Sequence, residues 1–134
     1  MDTQYNYLIT DNNGTYVGNH LIADLWGIIN HTDTTEILSN FVSACQLAKA
    51  TVLFSHCHPF GPESGTTGVI VLAESHLSWH HYPEINMISV DIFMCGSANP
   101  SIALEFIEQY WKPSHVDRQT LRRGHVERFK LKSP

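Results

Sequence analysis

The stretch that decides the fold is Val71–Gly96, VLAESHLSWHHYPEINMISVDIFMCG. It opens inside a continuous apolar run, Val69 to Ala73, which predicts a buried strand. Leu77 to His81 and Ile88 to Cys95 then predict two more strands around a turn at Pro83. Three strands joined by such short connections form antiparallel neighbours.

Upstream, PFGPESGTTG over residues 59–68 is rich in Gly, Pro and Ser and predicts a loop. Thr51 to His58 before it predicts a strand. Asp33 to Ala50 predicts a helix. Asp33 caps its start, with Glu36 three residues on as in a capping box. Ile37, Leu38, Phe41, Cys45 and Ala48 recur at helical spacing. Gly18 to Ile29 predicts a first strand running into a turn or short helix, and the polar residues before it predict a loose start. Downstream, Asn99 and Pro100 suit the N-cap and first position of a second helix. Its predicted stripe is Ile102, Ala103, Phe106, Ile107 and Tyr110, and Pro113 marks its end. One or two short strands follow around Val116 and Val126.

This order predicts one α+β domain over residues 1–134. It is a two-layer α/β sandwich, a mostly antiparallel sheet with two main helices packed on one face. A chain of 134 residues can bury a core without disulfides. The hydrophobic fraction of 43% and charged fraction of 16% exclude a disordered chain. The net charge of -5 argues against a nucleic-acid partner. Six of the eight Lys and Arg residues nevertheless lie in the C-terminal stretch: Arg118, Arg122, Arg123, Arg128, Lys130 and Lys132. They are read as a solvated strand or tail. Cys45, Cys57 and Cys95 have no CxxC spacing, which points to a reducing, cytoplasmic setting. No apolar run reaches the ~20 residues of a membrane span, and the N-terminus has no signal-peptide pattern.

Most reactive side chains fall between His56 and Cys95, beside the Gly-rich loop. His56 and His58 share a strand face near Cys57, His80 and His81, yet no carboxylate or second Cys stands at a metal-ligand spacing, so no metal is expected. Ser75 is flanked by Glu74 and His76, not by the glycines of a nucleophile elbow, which argues against a hydrolase.

The segment resembles the self-processing region of the prokaryotic S-adenosylmethionine decarboxylase family. That family's pattern is an apolar strand, Glu-Ser-His, a His five residues after the Ser, Pro-Glu, and Asp-x-Phe-x-Cys-Gly. Glu74, Ser75, His76, His80, Pro83, Glu84, Asp91, Phe93, Cys95 and Gly96 match it. Phe60, Pro62, Gly65 and Gly68 resemble its preceding loop, and Gly18, His20 and Leu21 its first strand. The resemblance spans roughly residues 18–125.

A decarboxylase needs an electron sink, which side chains lack and a carbonyl cofactor supplies. The resemblance implies that the chain makes one by cutting itself between Glu74 and Ser75. The hydroxyl of Ser75 attacks the Glu74 carbonyl to give an ester, β-elimination leaves dehydroalanine, and hydration with loss of ammonia leaves a pyruvoyl group in place of Ser75. The implied products are a β chain, 1–74, and an α chain, 75–134. By the same resemblance, His80 takes the serine's α-proton. Thr67 stands where the family has a serine that assists the acyl shift. Cys95 returns a proton to the substrate carbon. Phe60 and Tyr82 stack on adenine, with Tyr82 in place of the family's Trp. Glu84 binds the ribose hydroxyls. His81 replaces a Thr, for which sequence gives no account.

The implied activity is S-adenosylmethionine decarboxylation for spermidine synthesis, by a homodimer of processed protomers with sites near the interface. Two alternatives remain open: decarboxylation of ornithine or arginine on the same scaffold, and an unprocessed homologue acting as a binding or regulatory subunit. One feature resists. Five is odd, so strand alternation puts Ser75 and His80 on opposite faces. A kink or a bridging water near Ser75 is expected to join them.

Overall fold

The computed structural model describes residues 6–126. A small hairpin comes first, β1 (Ile9–Asp11) and β2 (Gly14–Tyr16). Then follow β3 (Gly18–Trp26), α1 (Thr34–Leu47), β4 (Val52–Pro59), β5 (Thr66–Leu72), β6 (Ser75–Tyr82), β7 (Met87–Cys95), α2 (Pro100–Trp111) and β8 (His115–Arg123). The six long strands form one sheet in the order β4-β5-β6-β7-β3-β8. Every neighbouring pair in it is antiparallel. Both helices contact the sheet and each other, so the expected α+β sandwich is the observed fold.

Alternation sorts the strand residues. Leu77 and Trp79 on β6, and Ile88, Val90 and Ile92 on β7, point under the helices and are buried. Phe41 of α1 stacks on Trp79 with ring centroids 4.0 Å apart. Trp79 donates its indole N–H to Thr66 Oγ1 at 3.1 Å, which satisfies the one polar group that burial would strand. Gly68 lies beneath this ring, where an added Cβ would meet Trp79 carbons at 2.1 Å. The glycine is therefore part of the packing, letting one of the two fully buried tryptophans lie flat on β5.

Among the described residues, the opposite sheet face carries no helix. It presents His20, Asp24, Thr67, His76, Ser78, His80 and Asp91, mixed with apolar Ile22, Val71 and Tyr82 that are more than a third exposed.

Several expectations are corrected. The residues before β3 are not loose as far back as residue 6. Asn12–Asn13 turn a hairpin, held by Asn13 N–H donating to Asp11 Oδ1 and the Tyr16 hydroxyl donating to Asp11 Oδ2. Trp26 ends β3 in a bend, and no helix follows it directly. Thr66 and Thr67 belong to β5, so the loop spans 60–65, closed by Phe60 N–H donating to Gly65 O. The apolar run of β5 is not buried on both faces, since Val71 is 38% exposed.

Helix α1 stops at Leu47 because Lys49 turns left-handed and Ala50 N–H reaches back to Cys45 O. Its Asp33 cap accepts from Glu36 N–H at 3.0 Å, as expected. The stripe of α2 is rotated from the expected one: Ala103, Leu104, Ile107 and Trp111 are buried, while Ile102 is 38% exposed. Val126 lies in a turn rather than a strand, and Arg128, Lys130 and Lys132 fall outside the described residues.

Candidate functional site

The connection between β5 and β6 is two residues long, since Leu72 pairs with Ser75. The second of them, Glu74, takes φ +57°, a left-handed conformation that glycine suits and glutamate does not. Ser75 follows at once as the first residue of β6. Cys95, the last residue of β7, lies alongside. Its backbone N–H donates to Ser75 Oγ at 3.2 Å, and its thiol donates to the Glu74 carbonyl oxygen at 3.2 Å. Both partners of the peptide bond between residues 74 and 75 are thus held by one residue. Burial pushes the Cys95 thiol up from its ordinary pKa, and the nearby Glu74 charge adds to this against a hydrogen bond from Ser75 that lowers it. The thiol therefore stays protonated at neutral pH.

These groups line an open cleft of about 280 Å³ at the end of the sheet. Gly96 closes one side. It has φ +61°, and its N–H donates to Tyr7 O at 2.6 Å, so the chain before β1 forms part of the wall. Sequence reading missed this contact, which no local pattern announces.

The other candidates gather elsewhere. Thr67 and His80 are cross-strand partners on the open face, with Thr67 Oγ1 2.9 Å from His80 Nδ1. Tyr82 ends the same strand and is 39% exposed. Glu84 is exposed in the short 3-10 turn Pro83–Ile85 that follows. Phe60 starts the 60–65 loop, 60% exposed and edge-on to His58. The site thus falls into two clusters, one at each end of β6. Five residues of strand put Ser75 about 16 Å from His80, at ~3.3 Å per residue. The strand runs unbroken from Ser75 to Tyr82. The expected kink is absent, and the gap is too long for one bridging water, so Ser75 and His80 of one chain do not meet.

Burial explains His81. It points under the helices, 5% exposed, with Nε2 2.9 Å from Asn30 Oδ1 and its ring edge-on to Trp111. Desolvation lowers its pKa, opposed by the charge of Glu84. The departure from threonine therefore serves the core beneath the sheet, not the face where Tyr82 stands. His56 and His58 project from β4 on the exposed side, and Cys57 is buried on the other. Cys45, Cys57 and Cys95 are all free. Among the described residues no helix is long and apolar enough to cross a membrane.

The sequence profile described as S-adenosylmethionine decarboxylase matches residues 19–124. A protein of Hydrogenobaculum sp. (strain Y04AAS1), named S-adenosylmethionine decarboxylase proenzyme, is 40% identical over 122 residues, covering 87% of this chain and 88% of its own. A protein of the same name from Methanococcus maripaludis (strain C5) is 36% identical over 114 residues, covering 83% and 93%. Among solved structures, the adenosylmethionine decarboxylase from Aquifex aeolicus VF5 superposes with a TM-score of 0.73 at 33% identity, covering 87% of this chain and 98% of that one.

Proposed function

The chain belongs to the S-adenosylmethionine decarboxylase family, and from that premise we propose that it is a self-cleaving decarboxylase of S-adenosylmethionine, cut between Glu74 and Ser75. The observation that carries the reading is the double hold of Cys95 on this one bond, its N–H on the Ser75 oxygen and its thiol on the Glu74 carbonyl.

The chemistry follows from that geometry. Attack of Ser75 Oγ on the Glu74 carbonyl carbon moves negative charge onto the carbonyl oxygen. The Cys95 thiol already donates to that oxygen, so it stabilises the charge as it forms. Collapse breaks the C–N bond and leaves an ester between Glu74 and the Ser75 oxygen. Rupture of the peptide also frees Glu74 from its left-handed backbone, so the uncut chain stores strain at the bond that breaks. Loss of the Ser75 α-proton then expels the Glu74 carboxylate.

The dehydroalanine left in place of Ser75 would take up water and release ammonia to give a pyruvoyl group, whose carbonyl would supply the electron sink for decarboxylation. Cys95, beside it and kept protonated by burial, is positioned to return a proton to the carbon that has lost carbon dioxide. Phe60 and Tyr82 offer exposed rings to an adenine and Glu84 a carboxylate to a ribose diol.

The two clusters at opposite ends of β6 imply an assembly. The Ser75 cluster, at the end of the sheet where Cys95 closes β7, meets the cluster of Thr67, His80, Tyr82 and Glu84 of a second copy packed on the helix-free sheet face. A homodimer with two-fold symmetry makes this contact twice, giving two complete sites. The mixed polar and apolar composition of that face suits a surface covered by another copy.

Release of labelled carbon dioxide from carboxyl-labelled S-adenosylmethionine, compared with ornithine and arginine, tests the substrate. The reading expects release from the nucleoside alone. Preferential release from either free amino acid would overturn it.

A further inference from the structure

Three adjacent strands bring His20, Asp91 and His76 to one point on the helix-free face. His20 on β3 and His76 on β6 both pair with Phe93 of β7, from opposite sides. Asp91 stands two residues back along β7, hence on the same face as Phe93. Both imidazoles lean to it. His20 Nε2 lies 2.6 Å from Asp91 Oδ1, and His76 Nε2 lies 3.2 Å from the same oxygen. The three ligand atoms all fall within 4.8 Å of one another. The side chains are partly open, at 16% for His20, 41% for His76 and 40% for Asp91. Although His76 follows Ser75, it points to the other sheet face, and no step of the proposed reaction uses the trio.

We propose that His20, His76 and Asp91 form a binding site for a divalent metal ion of borderline softness, of which zinc is the type. Two imidazole nitrogens and one carboxylate oxygen are the ligands such an ion takes, whereas magnesium and calcium favour oxygen alone. Ligands roughly 2.0–2.1 Å from a tetrahedral ion stand about 3.4 Å apart. The two N···O separations are shorter by a few tenths of an ångström and more, a gap that side-chain rotation opens without moving the backbone. All three ligands sit on central strands, which hold a ligand set more firmly than loops do. Three protein ligands leave a further position, which in the proposed dimer points toward the second copy and can be filled by water.

Metal binding requires each ring to present its Nε2 lone pair and carry its proton on Nδ1. At His20 that Nδ1 lies 3.4 Å from Arg123 Nη1, a donor with which it would then compete. Arg123 already lies over the Phe93 ring, 5.4 Å from its centroid. On metal binding the guanidinium keeps the ring and gives up the imidazole.

Equilibrium dialysis of the uncut Ser75→Ala chain against zinc chloride tests the site. One zinc per chain is expected. Asp91→Asn and His20→Gln should each weaken binding at least about tenfold, while a His56→Gln, His58→Gln double variant should bind as the parent does. Should either site variant misfold by circular dichroism, histidine side-chain NMR of the parent answers the same question, with zinc expected to shift His20 and His76. Binding below one per chain, undiminished binding by both site variants, loss of binding in the His56/His58 variant, or shifts confined to other histidines would each overturn the proposal.

Discussion

The thiol of Cys95 donates to the carbonyl oxygen of Glu74 across 3.2 Å, from the end of one strand to the turn that precedes another. One residue thereby faces both events proposed at this site, the charge that forms on Glu74 during cutting and the carbon to be reprotonated during turnover. The two roles differ in how much they need the thiol. Cys95→Ala keeps the backbone N–H on Ser75, so the chain should still cut, more slowly. Turnover should fall by about 10²–10⁴-fold, the usual worth of a positioned proton donor. Steady-state assay of the cut variant checks this, and unchanged turnover would place the proton donor elsewhere.

The separation of Ser75 from His80 makes a second prediction. A Ser75→Ala chain cannot be cut, and a His80→Ala chain alone should stay largely intact. Co-expressed, the two can form a mixed dimer in which the Ser75→Ala chain lends its His80. The His80→Ala chain should then be cut, as seen by a size-tagged gel. No cutting in the mixture would mean that the clusters do not meet between copies.

Glu74 supplies a third. Its φ of +57° is unfavourable for any residue with a Cβ, by about 1–2 kcal/mol. In the uncut Ser75→Ala background, Glu74→Gly should raise stability by about 1 kcal/mol after glycine's own entropy loss. Urea unfolding measures this. A loss of stability would mean that the turn is not strained.

The fourth concerns pH. His81 is buried and its pKa is lowered, so below its ordinary value of 6.5 the unfolded chain takes up a proton that the folded chain refuses. Stability from this group is therefore full above pH 6.5 and lost as pH falls toward the folded value, by at most about 1.4 kcal/mol per pH unit. Urea midpoints of the Ser75→Ala chain from pH 7.5 to 5 should fall, and His81→Thr should flatten that slope. An equal slope in both chains would assign the acid sensitivity to another histidine.

Much of this was legible in sequence, and what was not has physical reasons. Val69, Ile70, Leu77 and Ile88 announce their strands by apolar pattern, and Asp33 and Asn99 announce both helix starts by capping chemistry. The hairpin at Asn12–Asn13 was missed because its strands are three residues each and largely polar, although the run of Asp, Asn and Gly at 11–14 is a turn signal. Helix α2 packs on Leu104 and Trp111 because residues 100–111 hold more apolar positions than one face can bury, and periodicity alone does not say which lose.

At the site, parity correctly put Ser75 and His80 on opposite faces, but the kink invoked to reunite them does not exist. Their distance is a property of a straight strand, and it is in the proposed dimer that the two would meet. His20, His76 and Asp91 were each visible as motif residues, yet their convergence depends on register across three strands, which no local pattern encodes.

The central claim is the cut at Ser75, and the intact mass of the purified protein under denaturing conditions tests it most directly. The account predicts two species dividing after Glu74, with the fragment from residue 75 carrying the mass of a pyruvoyl rather than a serine terminus. A single full-length mass that persists after long incubation would contradict it.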